Sequence, residues 1–503
     1  MSKKTVKLNK STTEWNIASV ILLAVFFMTL VNQGGFYEGA IAFAGLFLSC
    51  FLFAKKIKVE FSVSNGLLAL FSLWYFICSF KNGFVTEYAV RGLLPFVLLI
   101  FSVYASSCSD KRAQLISLVL KFSLCLALFA ILQCVVLTVK NGSFIRLLFP
   151  FNYSNASGIY FSACFFLCLE SNDRFLKKAS PVFVLSTLLT MSVGAISLSL
   201  ILFSVKLVRK KKIKEFIVLL LVTVVAAVLL KNRIIQSGGT FLERILHMHD
   251  GILCMTKNPI FGIGAGAWEN AKQIYQTGFY SAILIHSSFV QIGVNSGFLG
   301  LLLFVLTALA FLKDAFLNKK YFAVCLLILI HSLFDFSLSF SAILFLLIVL
   351  SAPETKRKYE IKKTVKYIAV CLSLCLFIVS AFGLYSVKEF QNKPQREINI
   401  FVSHSTQAAK SYASYMNAQK RTVPKDLFCL RHKPYELVIN EALGEEELIT
   451  ALQNQPYNVK LMRFIEENCS IEYIEKARLV RKKALASLSP AGEILYNLKG
   501  ENQ

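Results

Sequence analysis

The sequence predicts an all-α polytopic membrane protein of about 12–13 transmembrane helices, with a large outer loop and a small α-helical extracytoplasmic C-terminal domain. Three observations carry this expectation. Of 503 residues, 56% are hydrophobic and 45 are Phe, whereas soluble domains run at roughly 45–50% apolar. The apolar residues fall in runs close to the ~20 needed for a helix to cross a bilayer. The 54 Lys and Arg outnumber the 29 Asp and Glu, for a net charge of +25, and the basic residues gather at the ends of those runs. That is the pattern of the positive-inside rule. In a soluble chain the same charge would suggest nucleic acid; here it orients spans, and no nucleic-acid partner is expected.

The N-terminus is basic (Lys3, Lys4, Lys7, Lys10), and no small-residue cleavage site follows the first apolar run. That run therefore reads as a first span serving as its own insertion signal, with residues 1–14 cytoplasmic. Spans are expected over residues 15–31, 36–54, 61–80, 88–106, 115–139 and 153–169, alternating in direction. Residues 180–207 lie between two clusters that both favour the cytoplasm, Lys177/Lys178 and Arg209 to Lys214. An even number of crossings is required, yet two full spans need about 40 residues. A short hairpin or re-entrant pair is expected, turning near Met191, Ser192, Val193 and Gly194. Broken backbone at membrane depth is tolerated where it lines a cavity, so a cavity is predicted on the outer side.

Residues 216–230 then exit, which puts the chain outside from Lys231. Residues 298–312 return, and 321–350 repeat the tight hairpin with His331 and Asp335 near its turn. The basic run 356–366 is cytoplasmic, and 367–385 form a last span that leaves the tail outside. The domains are then 1–14, an N-terminal bundle 15–230, an extracytoplasmic loop 231–297, a C-terminal bundle 298–387 and an extracytoplasmic helical domain 388–503. In that domain Pro434 and Pro456 each precede an apolar-periodic run, as Pro at a first helical turn does. Most of the thirteen cysteines lie within spans as small hydrophobes. There is no CxxC pair, and no metal or redox centre is assigned. Cys429 and Cys469, both in the tail, are candidates for a disulfide.

The loop carries the chemistry. Thr240 and Glu243 have the spacing of a capping box. Leu242, Ile245, Leu246, Ile252 and Leu253 share one face of the helix that would follow, which Asn258-Pro259 would stop. Such a helix suits the outer membrane surface. Arg244 projects from its polar side and reads either as an interfacial snorkelling residue or as a phosphate ligand whose guanidinium fork suits a diphosphate. The glycines of Gly262-Ile263-Gly264-Ala265-Gly266 read as a plain turn or as an anion nest. His247 and His249, two apart on a helix, point to different sides and make a poor metal pair. His286 heads an outer apolar helix; it is either a histidine satisfied at the interface or a base able to take a proton near pH 7.

Residues 258–271 (NPIFGIGAGAWENA) followed by 286–304 (HSSFVQIGVNSGFLGLLLF) resemble the signature loop of the O-antigen ligase and O-antigen polymerase superfamily. Residues 151–158 (FNYSNASG) and 331–336 (HSLFDF) fit more loosely, and the likeness spans roughly residues 15–350. The resemblance implies a metal-independent glycan transferase of the GT-C type in the bacterial cytoplasmic (inner) membrane. It would use a glycan on undecaprenyl diphosphate at the outer face, transfer it to an acceptor glycan or lipid, and need no cofactor. Membrane lipids and polysaccharide-assembly proteins are its other candidate partners. It assigns Arg244 to the diphosphate and His286 to activation of the acceptor hydroxyl. One departure stands out. The family commonly has Ser-Arg-Gly at the hairpin turn, where this chain has Ser192-Val193-Gly194. Arg91 is the first substitute for the missing cation, followed by Arg146 and Arg233. Polymerase and ligase remain open, since they differ only in acceptor. Two rivals are a transporter or flippase of lipid-linked glycans, which would show internal repeats and midplane charges, and a non-catalytic assembly scaffold acting through residues 388–503.

Overall fold

The computed structural model describes residues 17–499 apart from 54–57, 60–61, 230, 281, 318, 353–358, 361, 395–397, 420, 425, 429 and 442–443. Six helices come first: α1 (Ile17–Val31), α2 (Glu38–Cys50), α3 (Val63–Ser79), α4 (Thr86–Ser107), α5 (Arg112–Asn141) and α6 (Ser154–Glu170). A hairpin follows, α7 (Arg174–Leu189) and α8 (Val193–Arg209), and then α9 (Ile213–Leu229) and α10 (Lys231–Lys257). The short α11 (Trp268–Tyr275) precedes α12 (Ser288–Leu317), the second hairpin α13 (Phe322–Leu333) and α14 (Ser341–Ser351), and α15 (Lys363–Asn392). The C-terminal helices are α16 (Ile400–Ser403), α17 (Thr406–Ala418), α18 (Tyr435–Glu441), α19 (Glu445–Asn454), α20 (Val459–Asn468), α21 (Ile471–Ala486) and α22 (Pro490–Lys499). Among the described residues the remaining regular structure, short 3₁₀ turns apart, is one antiparallel pairing of β1 (Lys58–Val59) with β2 (Tyr359–Glu360).

This is an all-helical, multi-pass membrane protein. Among the described residues four helices are long and apolar enough to cross a bilayer: α4, α5 with the turn before it, α12 and α15. Shorter apolar helices surround them, including α1, α2, α3, α13 and α14. One core joins these elements, with Phe26, Phe101, Phe161 and Phe345 fully buried. The Phe101 and Phe345 rings stack at 4.0 Å and 13°. Because lipid is as apolar as the core, such helices associate through close packing and interhelical hydrogen bonds. Ser49 to Ser373 at 2.6 Å and Tyr104 to the Leu48 carbonyl at 2.7 Å are two of these.

The first hairpin turns at Thr190 to Ser192, with Met191 at φ 51°. Ser192 caps α8 by accepting from the Ala195 N–H. Helix α7 begins at Arg174 and so absorbs Lys177 and Lys178, which the charge pattern assigns to a connecting turn. Asp173 caps it there, accepting from the Phe175 N–H at 2.9 Å.

The loop helix differs from the capping-box expectation. Helix α10 starts at Lys231 and runs unbroken through Gly238, Gly239 and Thr240, so Thr240 sits inside the helix. Each glycine costs roughly 1 kcal/mol against Ala in a helix. The buried side of the helix, with Leu246, His247, Asp250, Cys254 and Met255, begins only beyond these glycines, and no burial among the described residues accounts for the helical turns before it. Its end matches the proline signal, since α10 stops at Lys257 before Asn258-Pro259.

Helix α12 begins at Ser288, well before Phe298, and is broken at Gly297 (φ 73°, ψ −175°). A break frees carbonyls that need partners. Val294 O accepts from Ile263 N at 2.8 Å and Asn295 O from Gly264 N at 3.0 Å. Ser296 O accepts from Trp74 Nε1 at 2.9 Å, and Phe298 N donates to Pro259 O at 2.8 Å. The glycine-rich turn is therefore a latch on the broken helix. Gly262 at φ 61° has to be Gly, because a Cβ there would lie 2.3 Å from Val294 O. The Ile263 and Gly264 N–H groups are thereby taken up by helix carbonyls, as the plain-turn reading expects.

The C-terminal helices lie on this loop. Trp268 and Ala271 of α11 share a core with Val402, Ala408, Ala409 and Leu437. Lys410 pairs with Glu269 at 2.6 Å, and Ser405 donates to Glu87 at 2.7 Å. A smaller core of Leu452, Leu461 and Ile465 holds α19 to α21 together. Helix α22 reaches back to the loop: Ser489 N donates to Thr277 O at 3.3 Å. The Cys429–Cys469 pairing expected here lies outside the described residues, because Cys429 is not among them.

Candidate active site

The turn between α13 and α14 carries Asp335, and four groups reach its carboxylate. Tyr153 OH donates to Oδ2 at 2.8 Å and Asn155 Nδ2 at 2.9 Å. Arg244 Nη2 lies 3.6 Å from the same oxygen and His286 Nδ1 3.9 Å. Asp335 is only 1% exposed, and its Oδ1 is buried with no hydrogen-bond partner among the described residues. A buried carboxylate is stable when it is met by cations and donors.

The four partners come from three elements. Tyr153 and Asn155 sit at the start of α6, Arg244 projects from α10, and His286 precedes α12. Arg244 also donates through Nη1 to Phe334 O at 3.2 Å, the backbone beside Asp335. The turn itself is pinned, with Ser288 N and Oγ both donating to Asp335 O at 3.0 Å. His331 Nδ1 and Ser337 Oγ are bonded across its base at 2.7 Å. The Tyr153 and Phe336 rings stack at 4.5 Å and 18°, closing the side opposite the loop helix.

His286 sits between two rings. Phe336 is 5.2 Å away at 56° and His247 is 5.3 Å away at 18°. Its side chain is 22% exposed and that of Arg244 is 23%, so both can meet a ligand while being held from behind. His249 is on the other side of α10, half-exposed and 2.9 Å from Asp250.

The three substitute arginines go to different places. Arg146 reaches the first hairpin turn, where Nε donates to Thr190 O at 2.8 Å. Its Nη2 lies 3.4 Å from both Met191 O and Asn155 Oδ1. The guanidinium thus stands at the turn that carries Val193, one residue removed from Asp335 through Asn155. Arg91 is elsewhere: it pairs with Glu38 and lines a largely apolar cavity with Tyr75, Ser288, Gln291 and Asn295. That cavity lies between α3, α4, α12 and α14, and it abuts the Asp335 turn through Ser288, Leu338 and Ser339. Arg233 is on the first turns of α10, and its side chain lies outside the described residues.

The O-antigen ligase family model matches residues 158–305. This segment runs from within α6 to Val305 in α12, and holds the first hairpin, Arg244, the glycine turn and His286. The match supports the superfamily read from the loop motif and a role in membrane glycan processing by glycosyl transfer. Asp335, Tyr153, Asn155 and Arg146 lie outside the matched residues. No curated protein matches the chain. Sequence reasoning placed Asp335 near a hairpin turn but gave it no role. The signal was the loose HSLFDF likeness, and Tyr153 and Asn155 sat in the equally loose FNYSNASG.

Proposed function

We propose that this chain is a GT-C-type transferase that moves a glycan from undecaprenyl diphosphate to an acceptor hydroxyl at the outer face of the bacterial cytoplasmic membrane. The observation that carries the reading is the convergence of Arg244 and His286 on one buried carboxylate, Asp335, beside the family-matched loop. In the reaction, His286 takes the proton of the acceptor hydroxyl as that oxygen bonds to the anomeric carbon. The bond from that carbon to the diphosphate oxygen breaks, and the electron pair leaves with the diphosphate. Arg244 stabilises the departing charge through its guanidinium fork.

Asp335 faces Nδ1 of His286, which leaves Nε2 for the acceptor and stabilises the imidazolium that forms. At 3.9 Å the two groups are an ion-pair distance apart, beyond hydrogen-bond range; the reading needs this contact to close when substrate binds, as catalytic hydrogen bonds often do. Arg146 is the best second cation, because its guanidinium stands at the hairpin turn where the family places an arginine. The apolar cavity behind the Asp335 turn supports a donor carried on a long hydrocarbon tail. The anomeric carbon is already activated by its bond to the lipid diphosphate, a good leaving group, so the reading calls for no nucleotide, and the guanidinium groups take the place a metal would have.

The test is the surface glycan of a deletion strain complemented with Arg244→Ala or His286→Ala. Both variants should accumulate in the membrane and make no polymer product; normal chain length and amount from both would overturn the proposal. The deletion strain also separates the two reaction types. Short units still attached to their acceptor mean polymerase, and intact polymer left on the lipid carrier means ligase.

A further inference from the structure

His247 lies directly behind the proposed base, and neither the family motif nor the metal reading gives it a task. Its side chain is 1% exposed. It follows Arg244 by one helical turn of α10, on the same face. Its ring lies nearly parallel to that of His286, 18° between planes and 5.3 Å between centroids, which is the range of offset stacking. On its other side is Tyr280, 4.2 Å away and tilted by 58°.

Tyr280 is itself fixed. Its hydroxyl donates to Asp250 Oδ2 at 3.0 Å. Burial first, and then the Asp250 carboxylate, push the phenol well above its ordinary pKa, so it stays a donor. Asp250 is fully buried and also accepts from Thr277 N at 3.0 Å and Thr277 Oγ1 at 2.6 Å. The result is a continuous support. Asp250 holds Tyr280, Tyr280 backs His247, and His247 backs His286, while Phe336 closes the far side of the base.

We infer that His247 is a positioning residue that fixes the plane of the His286 imidazole by ring stacking, so that Nδ1 stays on Asp335 and Nε2 stays toward the acceptor. The inference rests on His286 being the base. Without the ring beneath it, His286 rotates about its side-chain bonds and loses the geometry. A displacement of about 1 Å at a reacting group is worth up to ~10²-fold in rate.

The experiment uses full-length protein in proteoliposomes, with lipid-linked glycan extracted from the deletion strain as donor. His247→Ala should lower kcat by about 10- to 100-fold with the donor KM little changed, since Arg244 is untouched. His247→Phe restores a flat ring and should recover most of kcat. His247→Gln keeps a polar group that can still reach Glu243, 3.8 Å from His247 Nε2, and should not. Should Ala give normal kcat, or Gln rescue where Phe does not, stacking is not the role. Carbethoxylation of His286 by diethyl pyrocarbonate, followed by mass spectrometry, gives a readout independent of turnover: the rate should rise in His247→Ala and return to normal in His247→Phe. An unchanged rate in His247→Ala overturns the inference. His286→Ala separates the two claims. If it stays active, the assignment of the base has failed; if it is inactive while His247→Ala is normal, only the positioning role has failed.

Discussion

Asp335 Oδ2 lies 3.9 Å from His286 Nδ1 and is the oxygen that Tyr153 and Asn155 also address. The carboxylate therefore holds the proposed base and, through its 3.6 Å approach to Arg244, the proposed phosphate ligand in one frame.

Asp335→Asn keeps the shape of the side chain and removes its charge. Transfer in proteoliposomes should fall by about 10²-fold or more, with the protein still present in the membrane. A variant that turns over at the full rate would remove Asp335 from the mechanism.

Arg244→Lys preserves the charge but not the fork. A guanidinium can hold Phe334 O and Asp335 from one edge and still offer N–H groups to a diphosphate; a single ammonium cannot do both. The lysine variant should lose activity nearly as far as Arg244→Ala, by roughly 10²–10³-fold. Recovery by lysine, measured as initial rate, would reduce the role to simple charge.

Arg146 and Val193 meet at the same hairpin turn. Arg146→Ala should raise the donor KM, and adding Val193→Arg to that variant should bring it back down. If the double variant stays as weak as Arg146→Ala, the two positions are not interchangeable sources of the cation.

Lys272 tests the support of the loop. It donates to Ala282 O at 2.7 Å on the segment that leads to His286. Burial, above all, pulls its pKa from 10.5 down to about 8. Between pH 8 and 10.5 the unfolded chain therefore holds more protons than the folded one, and this lysine's contribution to stability rises with pH. Melting of the detergent-solubilised protein should show that rise relative to Lys272→Met. Parallel pH profiles for the two proteins would refute it.

Gly262→Ala would put a Cβ 2.3 Å from Val294 O at a φ of 61°. Backbone strain of this kind costs about 1–3 kcal/mol, and the clash adds to it. Lower melting temperature and easier proteolysis near the loop are expected; an unchanged melt would mean that the latch yields freely.

Helices were legible in the sequence because apolar runs and basic ends mark them, and Pro259 marks the end of α10. Arg244 and His286 stood out through the loop motif. Asp335 did not, because its partners Tyr153, Asn155, Arg244 and His286 come from three separate parts of the chain, and only tertiary packing assembles them. Sequence spacing sets His247 beside His249, two residues on, whereas its ring packs on His286 from another element. At Thr240 the capping rule fails, since α10 already begins at Lys231 and Thr240 lies inside it. The sequence ranks Arg91 before Arg146 and Arg233; only packing shows that Arg91 pairs with Glu38 while Arg146 reaches the first hairpin turn.

Gly297 has a mechanical consequence. Helices adjust to bilayer thickness by tilting, and a rigid rod from Leu317 to Ser288 would carry every tilt straight to His286. The break at Gly297 interrupts that rod. On one side of it Val294 and Asn295 are bonded to Ile263 and Gly264, and on the other Phe298 is bonded to Pro259, so the loop clamps the helix across the break. A tilt of the piece from Phe298 to Leu317 meets that clamp before it reaches His286.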